Sequence, residues 1–265
     1  MSDPKKFATA GLASSLLALT DVAYLDRAAA SEPGREYKAR LLTGLRLRPG
    51  HTVLDVGCGP ATDLGELATA VGRRGRVIGV DRDRHMVDEA VRRTSAQACV
   101  EIRIGDAHDL PLHGASVDRA RADRVLMHVQ SPADVLAELR RVLRPGGLVA
   151  LAEPDWDTLV IDHEDVETSR AYTRYVATRV IRNGAIGRQL PRLAEAAGLA
   201  VVRLEAIPIV FRDRALADQI LKPASVAARA AADGALTEAA ARRFVDGLTE
   251  PFLAMFTLVT LIAGA

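Results

Sequence analysis

"VLDVGCGPATD", residues 53–63, decides the fold: an apolar, β-branched run carries Asp55 and then breaks at Gly57 and Gly59. Upstream, "REYKARLLTGLRL" has apolar residues at helical spacing and stops at "RPG"; downstream, "DLGELATAVG" is helical and ends at glycine. The order is strand, tight turn, helix. The theme repeats through "RVIGVD", the helix "DRHMVDEAVRRTSA", "VEIRIGD", "VDRARAD", the helix "SPADVLAELRRVL" and, after "RPGG", the strand "LVALAEP". Such alternation predicts a doubly wound α/β fold, with a parallel sheet, helices on both faces and right-handed crossovers.

Past residue 155 the alternation loosens. "SRAYTRYVATRVIRNG" and "IGRQLPRLAEAAG" read as helices, "LAVVRLEAIPIVF" as a strand, residues 212–250 as a helical insertion and "FLAMFTLVTLIAGA" as the last strand. The early stretch "LTDVAYLDRAAASEP" is amphipathic, carries Tyr24 and Arg27, and has no strand to pair with, so it is expected to fold over the site as a lid. The expected divisions are a lid over 1–34, a core over 35–211, a helical cap over 212–250 and a final core strand over 251–265.

Bulk properties narrow the partners. With 265 residues, 49% of them apolar, the chain can bury a sizeable core. Lys and Arg total 35 against 34 for Asp and Glu, so a net charge of +1 makes no case for nucleic acid or an acidic membrane surface. A small molecule is the expected partner, and a monomer or homodimer the expected assembly. Cys58 and Cys99 lie far apart, which suits free thiols in a reducing cytoplasm. The final apolar run is shorter than the roughly 20 residues that span a bilayer.

Ligands of open parallel sheets bind beyond the carboxyl ends of the strands, where Gly57 and Gly59 let backbone approach closely. A dinucleotide fingerprint would place a third glycine where Thr62 stands, and no Gly-Lys-Ser/Thr follows for a phosphate loop. Asp55 beside the turn suits a cationic, phosphate-free ligand.

These residues resemble motif I of the class I S-adenosylmethionine (SAM) dependent methyltransferases, Asp-x-Gly-x-Gly-x-Gly, with Ala61 in place of the third glycine. The resemblance continues through "VIGVDRD", "IRIGDAHDLPL", "VDRARADRVLMHV" and "ELRRVLRPGGLVALAEP", over roughly residues 35–155, and is nearest to the ubiquinone/menaquinone-type and bacterial small-molecule enzymes. It implies a Rossmann-like, seven-stranded, mostly parallel sheet and SAM as cofactor. By resemblance, Asp55, Gly57, Cys58 and Gly59 form the cofactor turn, Asp81 accepts both ribose hydroxyls with Arg82 beside it, and Met86 packs on adenine. Gly105, Asp106 and Ala107 read the adenine edge, and Ala122 and Asp123 lie beneath the sulfonium. Arg124, Met127 and His128 begin the next helix on the substrate side.

The remaining candidates keep two readings each. His128 either removes a proton from the acceptor, with Arg124 beside it, or only hydrogen-bonds to backbone. Asp155 and Asp157 flank Trp156 and either bind a cationic or NH-bearing acceptor or form a loop acid pair with a packed indole. Arg119 and Arg121 read as the polar face of a strand, Cys58 as a packing residue, and the carboxylates of "EPDWDTLVIDHEDVE" match no standard metal spacing, so no metal is expected. The leading expectation is methyl transfer from SAM to carbon, nitrogen or oxygen of a small, apolar or aromatic metabolite, as in natural-product biosynthesis. A SAM-binding protein without transfer is the alternative, and a nicotinamide-dependent oxidoreductase is disfavoured by Thr62 and Asp55.

Overall fold

The computed structural model describes residues 22–265. Two helices open it, α1 (Val22–Ala30) and α2 (Glu32–Leu45). Ser31 caps α2 by accepting the Gly34 N–H at 3.1 Å, and Pro33 sits in the first turn, where a missing N–H costs nothing. The expected lid boundary at residue 34 therefore falls inside α2.

The doubly wound part runs β1 (Thr52–Val56), α3 (Leu64–Val71), β2 (Arg76–Asp81), α4 (Arg84–Thr94), β3 (Val100–Ile104), β4 (Val117–Asp123), α5 (Pro132–Val142) and β5 (Leu143–Ile161). Next come α6 (Val166–Tyr175), a π-helical turn (Val176–Val180), α7 (Ile186–Ala196) and β6 (Ala200–Phe211). Helices α8 (Arg214–Leu221), α9 (Pro223–Ala232) and α10 (Glu238–Gly247) precede β7 (Ala254–Gly264). The described strands form one seven-stranded sheet in the order β3-β2-β1-β4-β5-β7-β6, in which β7 runs antiparallel to both its neighbours. The fold is the Rossmann-like one expected. Strand β5 is longer than "LVALAEP", because β7 pairs with it again beyond a bulge, Val160 with Met255 and Ile161 with Ala254.

Central strands of a parallel sheet are covered on both faces and therefore read as continuous apolar runs. Val53, Leu54 and Val56 of β1 are all buried, with α3 on one side and the α5 to α7 cluster on the other. Tyr37, Leu41 and Leu45 of α2 pack on Ala150, Ala152, Leu258 and Ile262. The three-helix insertion leans on α6, where Tyr172 stacks on Phe244 with ring centroids 4.5 Å apart. Because β6 runs parallel to β5, the insertion leaves the sheet at the end where the glycine turn lies.

Register brings the rest of the site to that end. Val56 is level with Val80 and with Ala122, Asp81 with Ile104, and Asp123 with Ala152. Gly57, Asp81, Gly105, Asp123 and Glu153 thus emerge together along one rim.

Candidate active site

The glycine turn folds over the end of β2, with the Gly57 and Cys58 N–H groups both donating to the Val80 carbonyl, at 2.7 and 3.1 Å. Gly57 has φ +65°, and a Cβ there would come within 2.5 Å of Val125. Ala61 also has φ +65°, so it keeps the left-handed backbone that glycine favours, at a strain of about 1–2 kcal/mol. The departure from the motif changes a side chain and leaves the path of the turn intact. Asp81 stands against this turn: one oxygen accepts the Gly59 N–H and the other the Asp83 N–H, both at 2.9 Å. Cys58 is buried, and burial, then Asp55 and Asp81, push its thiol far up, which suits packing and not nucleophilic attack.

The adenine-side candidates lie one strand further out. Asp106 accepts the His108 N–H at 2.9 Å and is 2.6 Å from His108 Nδ1, while Ser131 N–H donates to Nε2 at 3.2 Å. Nδ1 therefore carries the proton, and the Asp106 side chain stays 61% exposed, free to take a further donor. Met86 and Ala122 are buried beneath, and Gly105 lies where a Cβ would touch Pro111 at 3.0 Å.

Between these groups lies an ionic network that the sequence reading missed. Arg121, expected on the polar face of a strand, is 2% exposed because β4 is a central strand. Its guanidinium meets Asp123 at 2.9 Å, pairs with Asp63 and reaches Asp55 at 3.9 Å. From α2, Lys38 contacts Asp63 at 2.5 Å and Asp123 at 3.5 Å, and the Tyr37 hydroxyl donates to Asp123 at 3.0 Å. Burial pushes Asp55 up to about 6. Burial also opposes ionisation of Asp63 and Asp123, yet the cations around them hold both carboxyls below the usual range. Arg119 is likewise no solvent-facing residue; its Nε donates to the Leu45 carbonyl at 2.6 Å and ties the end of α2 to β4.

After β4 the chain turns sharply, with Arg124 at φ +57° and 3.4 Å from Asp123. Glu153, wholly buried at the matching point of β5, accepts the N–H groups of Val125, Leu126 and Met127 at 2.8, 2.6 and 3.1 Å. Burial still pushes its pKa up to about 8 against those three bonds. Asn183 braces the turn from the other side, its amide donating to the Leu126 and Val129 carbonyls at 2.7 and 2.8 Å. Met127 is buried by this arrangement, so its side chain packs inward. His128 is half-buried, and burial followed by the charges of Arg82, Arg124 and Arg182 pushes it down to about 4, so the imidazole is neutral near pH 7.

Asp155 and Trp156 are placed in the core and not on an open wall. Asp155 is buried and held by both nitrogens of an Arg188 fork, one at 3.0 Å, and Arg188 also meets Asp157 at 3.1 Å. Trp156 is 3% exposed and stacks on Phe256 with centroids 4.8 Å apart. The reason is the length of β5, which carries both residues into the sheet beside β7. A cavity of about 410 Å³ lies elsewhere, by the amino ends of β1, β2 and β5; there Arg76 and Arg103 share Glu101, and Arg144 meets Asp118.

Helix α1 crosses the turn, where Leu25 would stand 3.5 Å from a Cβ on Gly59. Asp26 receives both Nη atoms of Arg93 at 2.8 Å and the Thr62 hydroxyl at 3.3 Å, which ties α1 to α4. Residues 1–21 and the Tyr24 side chain lie outside the described residues. A half-exposed pair of this kind contributes up to about 1 kcal/mol, so Arg93→Ala is expected to speed tryptic cleavage after Arg27 roughly fivefold. An unchanged rate in limited proteolysis would mean that apolar contacts alone hold α1.

A methyltransferase-domain family profile matches residues 47–198. An uncharacterized 37.1 kDa protein in transposon TN4556 of Streptomyces fradiae is 51% identical over 92% of this chain and 71% of its own length. Demethylmenaquinone methyltransferase of Staphylococcus saprophyticus is 32% identical over 48% of this chain; the match spans 54% of that enzyme, about half its length. A SAM-dependent methyltransferase from Aquifex aeolicus shares the fold at a TM-score of 0.56, with 19% identity over 95% of this chain and 97% of that one. No helix among the described residues is long and apolar enough to cross a membrane. On the profile, the relatives and the sheet order together, the chain belongs to the class I SAM-dependent methyltransferases, with SAM as cofactor.

Proposed function

We propose that the protein transfers the methyl group of SAM in line to carbon, nitrogen or oxygen of a small, largely apolar or aromatic metabolite. The observation that carries the reading is Asp81, whose carboxylate is held 2.9 Å from the Gly59 N–H at the rim shared by β1 and β2. Two adjacent hydroxyls of a ribose suit a fixed carboxylate there, and Asp106 with Ala107 offers the next polar edge for adenine. The sulfonium then falls over Ala122 and Asp123, beside Asp55. The donor carries its own leaving group, so the chain's task is chiefly to orient the acceptor and exclude water. His128, neutral but of low basicity, suits a hydrogen-bonding role better than that of a strong base. The Ala-, Leu- and Val-rich insertion stands at the same end of the sheet and favours an apolar body over a polymer.

Incubation with methyl-labelled SAM and candidate metabolites, read by mass spectrometry, tests the reading. Labelled product and S-adenosylhomocysteine should appear together, and neither with any acceptor would overturn it. Asp81→Ala is expected to weaken SAM binding by about 1.5–3 kcal/mol, through loss of charge-assisted bonds to two hydroxyls. An unchanged dissociation constant in titration calorimetry would remove the ribose assignment.

A further inference from the structure

We propose that Lys38 is a positioning residue for methyl transfer, acting through Asp123: its ammonium group balances the carboxylates of the rim and so keeps the sulfonium of SAM from being held as one half of an ion pair. This rests on the methyl-transfer reading, which sets the sulfonium over Ala122 and Asp123, and it assigns a role to the helix that precedes the first strand. The buried stripe of α2 is Gly34, Tyr37, Lys38, Leu41 and Leu45, at the three- and four-residue spacing that turns one side of a helix inward. A lysine is out of pattern there. A buried ammonium group loses its hydration, and a buried ion pair is often no more stable than apolar side chains of similar volume. Lys38 is nevertheless 8% exposed, with Nζ 2.5 Å from Asp63 and 3.5 Å from Asp123.

The charges of the network balance only with Lys38 counted. Three carboxylates, Asp55, Asp63 and Asp123, stand against Lys38, Arg121 and Arg124. Without Lys38 the same groups carry one negative charge in excess, beside the place of the sulfonium. That excess would grip the positive reactant. Methyl transfer takes the positive charge off sulfur, so attraction to it is strongest before the reaction and weaker in the transition state, and it raises the barrier. Lys38 removes the excess without being needed to hold the acids in place. Asp123 keeps the Tyr37 hydroxyl at 3.0 Å and Arg121 at 2.9 Å, and Asp63 keeps its bond from Arg121. The lysine therefore sets the charge of the rim more than its shape.

SAM and S-adenosylhomocysteine differ in the sulfonium charge, so the ratio of their dissociation constants is the readout, measured by titration calorimetry at a pH above the Asp55 value of about 6. In Lys38→Met the ratio should move toward SAM by about tenfold, the scale of one unit charge at roughly 10 Å with an effective dielectric constant near 20. Lys38→Arg should keep the parent ratio, and Asp123→Asn should move it toward S-adenosylhomocysteine. Arg242→Gln, which removes an exposed cation on α10, should leave it unchanged. A lysine that only braces the fold would weaken both ligands alike in Lys38→Met. The inference is overturned by that result, by a shift toward S-adenosylhomocysteine in the same variant, or by an equal shift in Arg242→Gln. If Lys38→Met does not fold, Lys38→Gln and Asp123→Asn decide by the same signs. Failure of the parent to bind either ligand counts against the methyltransferase reading, while binding with an unchanged ratio in Lys38→Met sinks this inference alone.

Discussion

Arg121→Ala is expected to lower the free energy of unfolding by about 3–5 kcal/mol, the cost of leaving buried charges without their partner. The guanidinium is 2% exposed and lies among Asp55, Asp63 and Asp123, so its removal leaves three carboxylates facing Lys38 and Arg124. The deficit should depend on pH, with a definite sign. A carboxyl whose folded pKa is raised contributes stability that is complete below its unfolded value near 4 and is lost as pH rises through the folded value. Asp55 already behaves so at about 6, and Arg121 is the cation that most restrains its rise. Without Arg121 all three acids move upward, so the difference from the parent should widen between roughly pH 5 and pH 8. Denaturant titrations at both pH values are the measurement. Replacing Arg121 by Met together with Asp63→Asn should recover part of the loss, since a neutral, well-filled site avoids the stranded charge. A deficit below about 1 kcal/mol at pH 8 would mean that the network contributes little and that water compensates it.

The network also shows what was legible in the sequence and what was not. Asp55, Gly57, Gly59, Asp81 and Asp106 can be read because each sits at a strand end, where local pattern fixes position and the ordered motifs fix register. Arg121 deceives because "VDRARAD" alternates like a half-exposed strand, whereas β4 lies between β1 and β5 and is covered on both faces. The strand order holds the missing information, and that order is a long-range property. Once β4 is known to be central, Arg121 must have buried partners, and Asp63 and Asp123 become candidates at once. Lys38 and Tyr37 were hidden for a related reason: they lie on the helix that precedes the first strand, and only tertiary packing directs them to the rim. Glu153 carried a fainter signal, an acid at the end of an otherwise apolar central strand. Ala61 shows the converse, since a residue that departs from the motif still takes the backbone conformation of the glycine it replaces.

Trp156→Ala is expected to cost about 3–5 kcal/mol of stability, the range for deleting a large aromatic from a packed core. The indole is 3% exposed, stacks on Phe256 of β7 at 4.8 Å, and belongs to a row in which Phe211 of β6 lies 6.1 Å from the same Phe256 ring. These rings join β5, β7 and β6 at the end of the sheet where the insertion begins. The cavity left by the indole therefore weakens the platform under the proposed acceptor site before it alters any contact with an acceptor. Thermal unfolding should shift down by on the order of 10 °C for a chain of this size. Trp156→Phe provides the contrast: the indole N–H is buried and has no acceptor among the described residues, so its removal relieves a penalty while most of the stack survives. That variant should stay within about 1.5 kcal/mol of the parent. The pair of variants separates core from pocket. A packing residue gives a large loss for Ala and a small one for Phe in unfolding, with turnover following the folded fraction. A pocket residue would instead leave Trp156→Ala stable, with SAM affinity intact and acceptor turnover reduced tenfold or more, equivalent to about 1.4 kcal/mol. The geometry of β5 favours the first outcome, because the bulge between Asp155 and Val160 turns the strand back onto β7 and carries Trp156 inside with it.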